Sequence, residues 1–579
     1  MYGTHINWNI TEINHDITNN TGHSVSALII DSPATLTVKA SDSLNVSRYL
    51  KLNGALTLEE DSQLIQGVDS ELDVTSSGIL HKNQQGSADT FTYNYWSSPV
   101  GPQNTTSNNN SYTLPEIFDG VTFLTSGYNG TVSPLGISTA WIWKFNNRTL
   151  GNYAEWQHVG NTGSMLPGEG FSMKGPGSGV PSDLQNYLLK GKPNNGDINL
   201  PINSGNEYLV GNPYPSAIDA KAFILDNGTT IAGPGSTTGT LYFWEHWGGG
   251  NSHNLSSYQG GYASYSLSGG VPAAAKATSD PNVDQGGVST KTPGRYIPVA
   301  QGFFVTAEAT GTIKFNNSQR VFQTEDGTNS VFLKSTNSKN TNTSPNNHDD
   351  LREKLRIGFY STNKIKRQLL TTVDPSASIG YDWGGYDGPN IDYQIDDMYW
   401  LIDHNTYVIQ GINEITETTV LPLGIHLKNE GVNIISIDEI ENEVTPYNIY
   451  LHDKELNLYH NLRESNYYVT LIAGKYLDRF EITFTNSSET LETKPLELIN
   501  RPVLVSFSND NESVVISNPN ALYIKSTEIF NMLGQSVYNF NTQSNQTSII
   551  QATENLSSGS YIIKLNTDNG IVTNKVLIE

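Results

Sequence analysis

ALIIDSPATLTVKASDSLNVSRYLKLNGALTLEE, Ala27 to Glu60, is built from short apolar couples, each flanking one residue and separated by turns containing Ser, Asp, Gly or Asn. The couples are Leu28/Ile30, Leu36/Val38, Leu44/Val46, Leu50/Leu52 and Leu56/Leu58, and Leu72/Val74 continues the series. Two apolar residues separated by one lie on the same face of an extended strand, so each couple marks a very short strand with one buried face. Couples turned roughly every six to eight residues predict the rungs of a β-solenoid, a parallel β-helix-like stack, over residues 1–88. The alternative is a meander of short strands, which the spacing disfavours because sandwich strands run longer. A stack that begins at the first residue reads as the end of a larger solenoid.

Composition extends the all-β reading to the rest of the chain. At 579 residues the chain exceeds one hydrophobic core. It is rich in Asn, Ser, Thr, Gly and Tyr and nearly lacks apolar residues at helical spacing. The predicted architecture is a solenoid end followed by several β-sandwich domains and a small C-terminal immunoglobulin-like sandwich. Acids outnumber bases, 57 to 33, for a net charge of -24, which repels nucleic-acid phosphate and anionic lipid. Without cysteine the chain has no disulfide, thiolate metal site or thiol nucleophile. No stretch approaches a membrane-spanning helix.

Two stretches share an order of landmarks and predict a diverged duplication. In residues 89–203 the order is TYNYWSSPVG (Thr92 to Gly101), AWIWKFNN (Ala140 to Asn147) and LPGEGFSMKG (Leu166 to Gly175). In residues 204–322 it is EYLVGNPYPS (Glu207 to Ser216), LYFWEHW (Leu241 to Trp247) and IPVAQGFFV (Ile297 to Val305). Both place an X-Pro step after an aromatic strand, then a Trp-rich strand, then a strand entered through Gly-Phe. Residues 323–352 form a polar linker, 353–486 a β-sandwich and 487–503 a second linker, leaving 504–579 as a last module.

The stretch YDWGGYDGPNIDYQIDDMYW, Tyr381 to Trp400, supplies Asp382, Asp387, Asp392, Asp396 and Asp397. Oxygen ligands on a turn-rich backbone suit Ca2+, with Asp382, Asp387 and Asp392 as candidate metal ligands, although the spacing is not that of an EF-hand. The competing reading is that the aspartates cap turns. Aromatic groups at Tyr95/Trp96, Trp141/Trp143, Trp156 and Tyr242/Trp244/Trp247 are either sugar-stacking faces or core. Trp247, leading into GGGNSHN, is the ligand-binding candidate. No nucleophile elbow, zinc-binding HExxH or phosphate-cradling loop occurs, and nothing selects a catalytic carboxylate pair, so no enzymatic activity is expected.

The C-terminal order is the most specific signal. ALYIKSTEIFNMLGQSVYNF (Ala521 to Phe540) gives strand, turn and strand, and ENLSSGSYIIKLNTDNGIVTNKVLIE (Glu554 to Glu579) gives a hairpin. This resembles the type A sorting domain of the type IX secretion system of Bacteroidetes. The matching positions are Leu533, Gly534, Gln535, Leu556, Gly559, Tyr561, Lys564, Gly570 and Lys575. The Tyr-Pro-Asn-Pro start usual in that family is replaced by SFSNDNESVVISNPN. The resemblance implies a secretion signal, passage through the outer membrane by way of the translocon and its shuttle protein, and a place at the cell surface or outside, on surface polysaccharide or lipopolysaccharide. NYWSSPVG, LVGNPYPSAID, QGFFV, GYDGPNID and DDMYWLI also resemble stretches of large flavobacterial surface proteins. An exported chain needs an entry signal, and MYGTHINWNITEINHD has neither a basic nor an apolar signal region, so a fragment or trimmed chain is expected. The functional expectation is the C-terminal region of a non-enzymatic adhesin or stalk serving adhesion or gliding motility. The alternative is a carbohydrate-binding accessory region of a secreted polysaccharide-degrading enzyme.

Overall fold

A computed structural model describes residues 9–149, 153–177, 183–229, 235–248, 252–254, 257–276, 289, 291–327, 329–331, 350–443, 446–486, 503–508, 513–518, 521–553, 556–568 and 570–578. The polar cores of both expected linkers lie outside the described residues. The chain divides into two compact units: Met1–Leu355 with Arg367–Tyr393 and Ile402–Glu414, and Arg356–Lys366 with Gln394–Leu401 and Ile415–Glu579.

The first unit begins with the solenoid. Strands β1 (Ile10–Ile13), β3 (His23–Ile30), β5 (Ser43–Leu52), β7 (Gln63–Gln66) and β8 (Glu71–Leu72) form one parallel sheet. Strands β2 (Ile17–Asn19), β4 (Thr35–Val38), β6 (Ala55–Leu58) and β9 (Ile79–Ser87) form the other. Register stacks like on like: Leu28, Leu50 and Leu72 align on one wall and Leu36, Leu56 and Leu80 on the other, all buried. Each strand alternates buried with half-exposed positions, so the couples fill the interior and the intervening residues face out. Val74, read as half of a couple, is instead exposed, because the parallel stack on its wall ends at Leu72.

The stack is closed by a strand from the following region. Leu184–Pro193 pairs antiparallel with β9, and one hydrophobic core runs from Ile13 through Leu80, Trp96 and Tyr187 to Ala300. Pairing and core therefore run across the boundary drawn at residue 88.

The duplication is written in the backbone. In the first copy Tyr93–Trp96 pairs with Phe171–Lys174, which pairs with Trp143–Lys144. In the second, Asn206–Gly211 pairs with Gly302–Ala307, which pairs with Thr237–Gly248. Landmark strands thus associate in the order first, third, second, twice. Even the register agrees: Trp96 faces Phe171 and Val210 faces Phe303, the Phe of each Gly-Phe entry, while Trp143 faces Ser172 and Tyr242 faces Phe304. The copies also grip each other reciprocally. Trp96 bridges Gln301 as Val210 bridges Glu169, and Ser97 N–H donates to Ala300 O (2.8 Å) as Gly211 N–H donates to Gly168 O (3.0 Å). That is the self-complementary pattern of a two-fold interface, here inside one chain.

Residues 353–486, expected as one sandwich, are divided between the units. Ile365–Val373 pairs in parallel with Asn405–Ile412, and the loop from 374 to 393 is bonded to the second copy of the first unit: Thr240 Oγ1 to Asp387 O, Ser266 Oγ to Tyr386 O and Leu267 N to Gly385 O. In the second unit Val420–Leu427 lies between Asp397–Ile402 and Gly474–Thr483, and Tyr450–Asp453 flanks the latter. Buried Arg356 pairs with Glu441 (2.7 Å), and half-buried Arg479 with buried Asp453 (2.8 Å). The C-terminal module is a small sandwich. A three-stranded sheet of Leu504–Ser508, Ser513–Ser517 and Ser548–Ala552 and a four-stranded sheet of Ser536–Phe540, Ile524–Asn531, Gly559–Thr567 and Gly570–Ile578 share a core of Val514, Ile516, Ile529, Ile563 and Leu565. Strands form where the usual opening motif is replaced, because SVVIS keeps apolar residues that fill this core.

Candidate functional site

The three metal candidates are not gathered around one point. Asp382 accepts from Ser378 N and Oγ (both 2.8 Å), and its own N–H donates to Asp387 Oδ2 (2.7 Å). Asp387 is buried and accepts a second N–H from Gly411 (2.9 Å). Burial pushes its carboxyl up to about 8, with the charges of Asp382 and Asp403 adding and the two N–H donors opposing. Asp392 lies apart, accepting from Tyr262 N at 3.1 Å while its carbonyl accepts from Arg367. Asp396, in the second unit, accepts from Asn363 and Lys428 N. Among the described residues no group of three or more acidic or histidine side chains is arranged to hold a metal. Each aspartate ties its own turn to a neighbouring segment, as short acidic side chains do.

Trp247 is half-buried at the end of its strand, and its ring lies against the neighbouring strand, 3.2 Å from where a Cβ on Gly261 would stand. Residues 249–251 of the loop it leads into lie outside the described residues. Trp96 is core, edge-on to Tyr187 (5.4 Å). Glu245 and His246 are both buried. His246 Nδ1 meets Tyr93 N (3.2 Å), and burial lowers its imidazole to about 4.

The unexpected site is Lys174. Its ammonium sits in a box of three rings, 3.8 Å from the centroid of Trp141, 4.5 Å from Tyr93 and 4.8 Å from Tyr258. It bonds Tyr258 Oη (2.6 Å) and His253 Nδ1 (3.0 Å), and His253 stacks on Trp141 at 4.7 Å. Burial lowers the amine to about 7, opposed by the nearby Asp89 carboxylate. The ring faces also favour the charged form. The same burial, with the Lys174 charge, lowers His253 to about 4. The box is assembled from four separated segments, which is why no linear motif announces it. The only sequence signals were the Trp141 group and the histidine of GGGNSHN.

In the C-terminal module the signal positions sort by role. Asn531 Oδ1 accepts from Leu533 N and Gln535 N (both 3.0 Å), and Gly534 at φ +81° closes the turn, leaving Leu533 exposed at its tip. Leu556 and Tyr561 pack on the core, and Tyr561 Oη donates to Ser557 O (2.8 Å). Gly559 and Gly570 hold left-handed φ, +154° and +117°. Lys564 meets Glu528 at 3.4 Å, and Lys575 is exposed on the last strand. Leu533 and Lys575 are thus outward-facing groups that a partner can reach.

Comparison with known proteins adds two family matches. Residues 4–484 match the model of a domain of unknown function, DUF8693, and residues 509–579 match that of a secretion system C-terminal sorting domain. No curated protein matches. Among solved structures, a chain described as "Biofilm associated protein - BSP domain" aligns over 86% of this chain and 95% of its own at 8% identity, with a TM-score of 0.12, a value that carries no argument. No described helix is long and apolar enough to cross a membrane.

Proposed function

The chain belongs to the DUF8693 family and carries a sorting tail that makes it a type IX secretion substrate, exported across the outer membrane to the cell surface or beyond, and from these premises we propose that it is a non-enzymatic surface protein of the adhesin or stalk kind. The tail engages the secretion machinery, and the body does the work outside. What supports this reading is the way the buried charges of the body are used. Lys174 is closed in by Tyr93, Trp141, Tyr258 and His253. Glu169 accepts from Lys144, Asn146, Tyr208 and Leu166 N. Arg320 joins solenoid to copies by donating to Leu64 O (2.6 Å), Ser216, Asn195 and Asn317. Polar groups satisfied in this way cement a rigid platform and present few reactive atoms.

A flavobacterial surface protein serving adhesion or gliding fits this design, with the tail as secretion signal. The test is turnover. Purified full-length chain incubated with polysaccharides, peptides and lipid esters is expected to release no product, and robust product formation would overturn the proposal. In cells, deletion of residues 504–579 is expected to retain the protein inside and abolish surface labelling.

A further inference from the structure

The loop from 374 to 393, which follows strand Ile365–Val373, carries Trp383, 49% exposed. An exposed indole on a loop of this length is ordinarily a liability, since it offers an apolar face to water and must be ordered before it can bind anything. Here the ordering is already done. Gly385 has φ +96°, and a Cβ there would stand 2.7 Å from Ile224 Cγ2 and 2.9 Å from Gly239 Cα, so the backbone beside Trp383 lies directly on the body of the unit. Gly385 O accepts from Leu267 N (2.8 Å), Tyr386 O from Ser266 and Ser268 (3.0 and 2.7 Å), and Asp387 O from Thr240 (3.0 Å). Asp387, accepting from Asp382 N and Gly411 N, binds the two ends of the turn to the adjacent strand.

Trp383 does not stand alone. Tyr381 meets it edge-on at 5.4 Å and continues to Tyr407 at 5.9 Å. Tyr393, 59% exposed, is held separately, with its hydroxyl 2.7 Å from Thr406 Oγ1. Along this row lie hydrogen-bond acceptors: the half-buried Asp382 carboxylate and Glu308, which accepts from Tyr381 Oη at 3.3 Å.

We propose that the row formed by Trp383 and Tyr381 is a binding platform for a saccharide chain that bears no acidic groups. A pyranose has an apolar C–H face that stacks on an aromatic ring and hydroxyls at its rim that donate to carboxylates, the two kinds of group the row presents together. A ring already fixed in place lowers the ordering cost of binding. Charge selects the class of sugar. Glu308 and Asp382 flank the row in a chain of net charge -24, so uronate- or sulfate-bearing polymers are repelled. The proposal rests on the reading of the chain as a surface adhesin and names what this part of it grips.

The experiment is affinity electrophoresis of the full-length chain in gels containing dextran, mannan, a soluble β-glucan or alginate. Retardation by at least one neutral polymer and none by alginate is expected. Trp383→Ala is expected to weaken that retardation by about tenfold, with Phe322→Ala unchanged. Both side chains are substantially exposed, so the thermal midpoint should stay within a degree or so of the parent. Absence of retardation by every neutral polymer, retention in Trp383→Ala, or capture by phosphatidylcholine vesicles in place of any polymer would overturn the platform. Release of reducing ends from a retained polymer would instead overturn the non-enzymatic reading, so the two failures are distinguishable.

Discussion

The two copies in the first unit hold the same register with opposite chemistry. Where Tyr93 faces Lys174 in the first copy, Glu207 faces Thr306 in the second, by the same count from the Gly-Phe entry. Both positions bury an ionisable group and push it toward its neutral form, the lysine down to about 7 and the glutamate up to about 7, with burial the leading cause in each. Backbone pairing and the reciprocal grip are what the copies share. The side chains at the shared positions have diverged: three ring faces, one of them Tyr258 of the second copy, meet the ammonium, and a hydroxyl meets the carboxyl.

The sharpest way to break the equivalence is at the reciprocal bridges. Trp96 fills the core beside Phe118 and Tyr187, whereas its counterpart Val210 contributes a far smaller side chain to a different core cluster. Trp96→Ala is expected to destabilise the chain by about 3–5 kcal/mol and Val210→Ala by less than half as much, read from the urea midpoint of the body's transition. Equal losses would mean that the grip, rather than the core each residue fills, sets the cost.

Next in size are the partners across those bridges. Glu169 gathers four donors, including the Lys144 ammonium at 3.0 Å, while the equivalent Gln301 donates to two carbonyls. Glu169→Ala strands Tyr208 and Lys144, but the lysine is partly exposed and can rehydrate, so a loss of about 2–3 kcal/mol is expected. Gln301→Ala should cost about 1 kcal/mol by the same measurement, the ordinary net worth of a neutral hydrogen bond.

What was legible in the sequence follows from what the backbone demands. Leu28, Leu50 and Leu72 are readable because a solenoid repeats its interior, and Gly170-Phe171 and Gly302-Phe303 because a Cβ on either glycine would stand within 3 Å of the other copy's strand. The Lys174 box was not legible. Tyr93, Trp141, Lys174, His253 and Tyr258 come from separate segments, and FSMK looks like any strand that ends in a solvated lysine. The aspartates of 382–397 were visible as a group, yet composition cannot tell a ligand from a turn cap. Attention to them passed over Trp383, which sits between two of them.

The smallest expected effect is also the most specific to the comparison, because the two buried groups give stability slopes of opposite sign. Between about pH 7 and its ordinary value of 10.5, Lys174 is charged in the unfolded chain and neutral in the folded one, so folding releases a proton and stability rises with pH. Between its ordinary 4.5 and about 7, Glu207 is protonated only in the folded chain, so folding takes up a proton and stability falls as pH rises. Together the two groups contribute a minimum near pH 7 to the stability of this unit, to which the raised Asp387 adds a fall between its ordinary 3.8 and about 8. Lys174→Met keeps the length of the side chain and removes the buried amine. It is expected to be neutral or stabilising by about 1 kcal/mol at pH 7 and to flatten the limb from 7 to 10.5. Glu207→Gln should flatten the limb from 4.5 to 7 and leave the upper limb intact. Thermal midpoints measured across pH 4 to 11 for both variants separate the limbs, and if Lys174→Met flattens neither, the three rings hold that ammonium charged throughout and only the second copy carries a displaced proton.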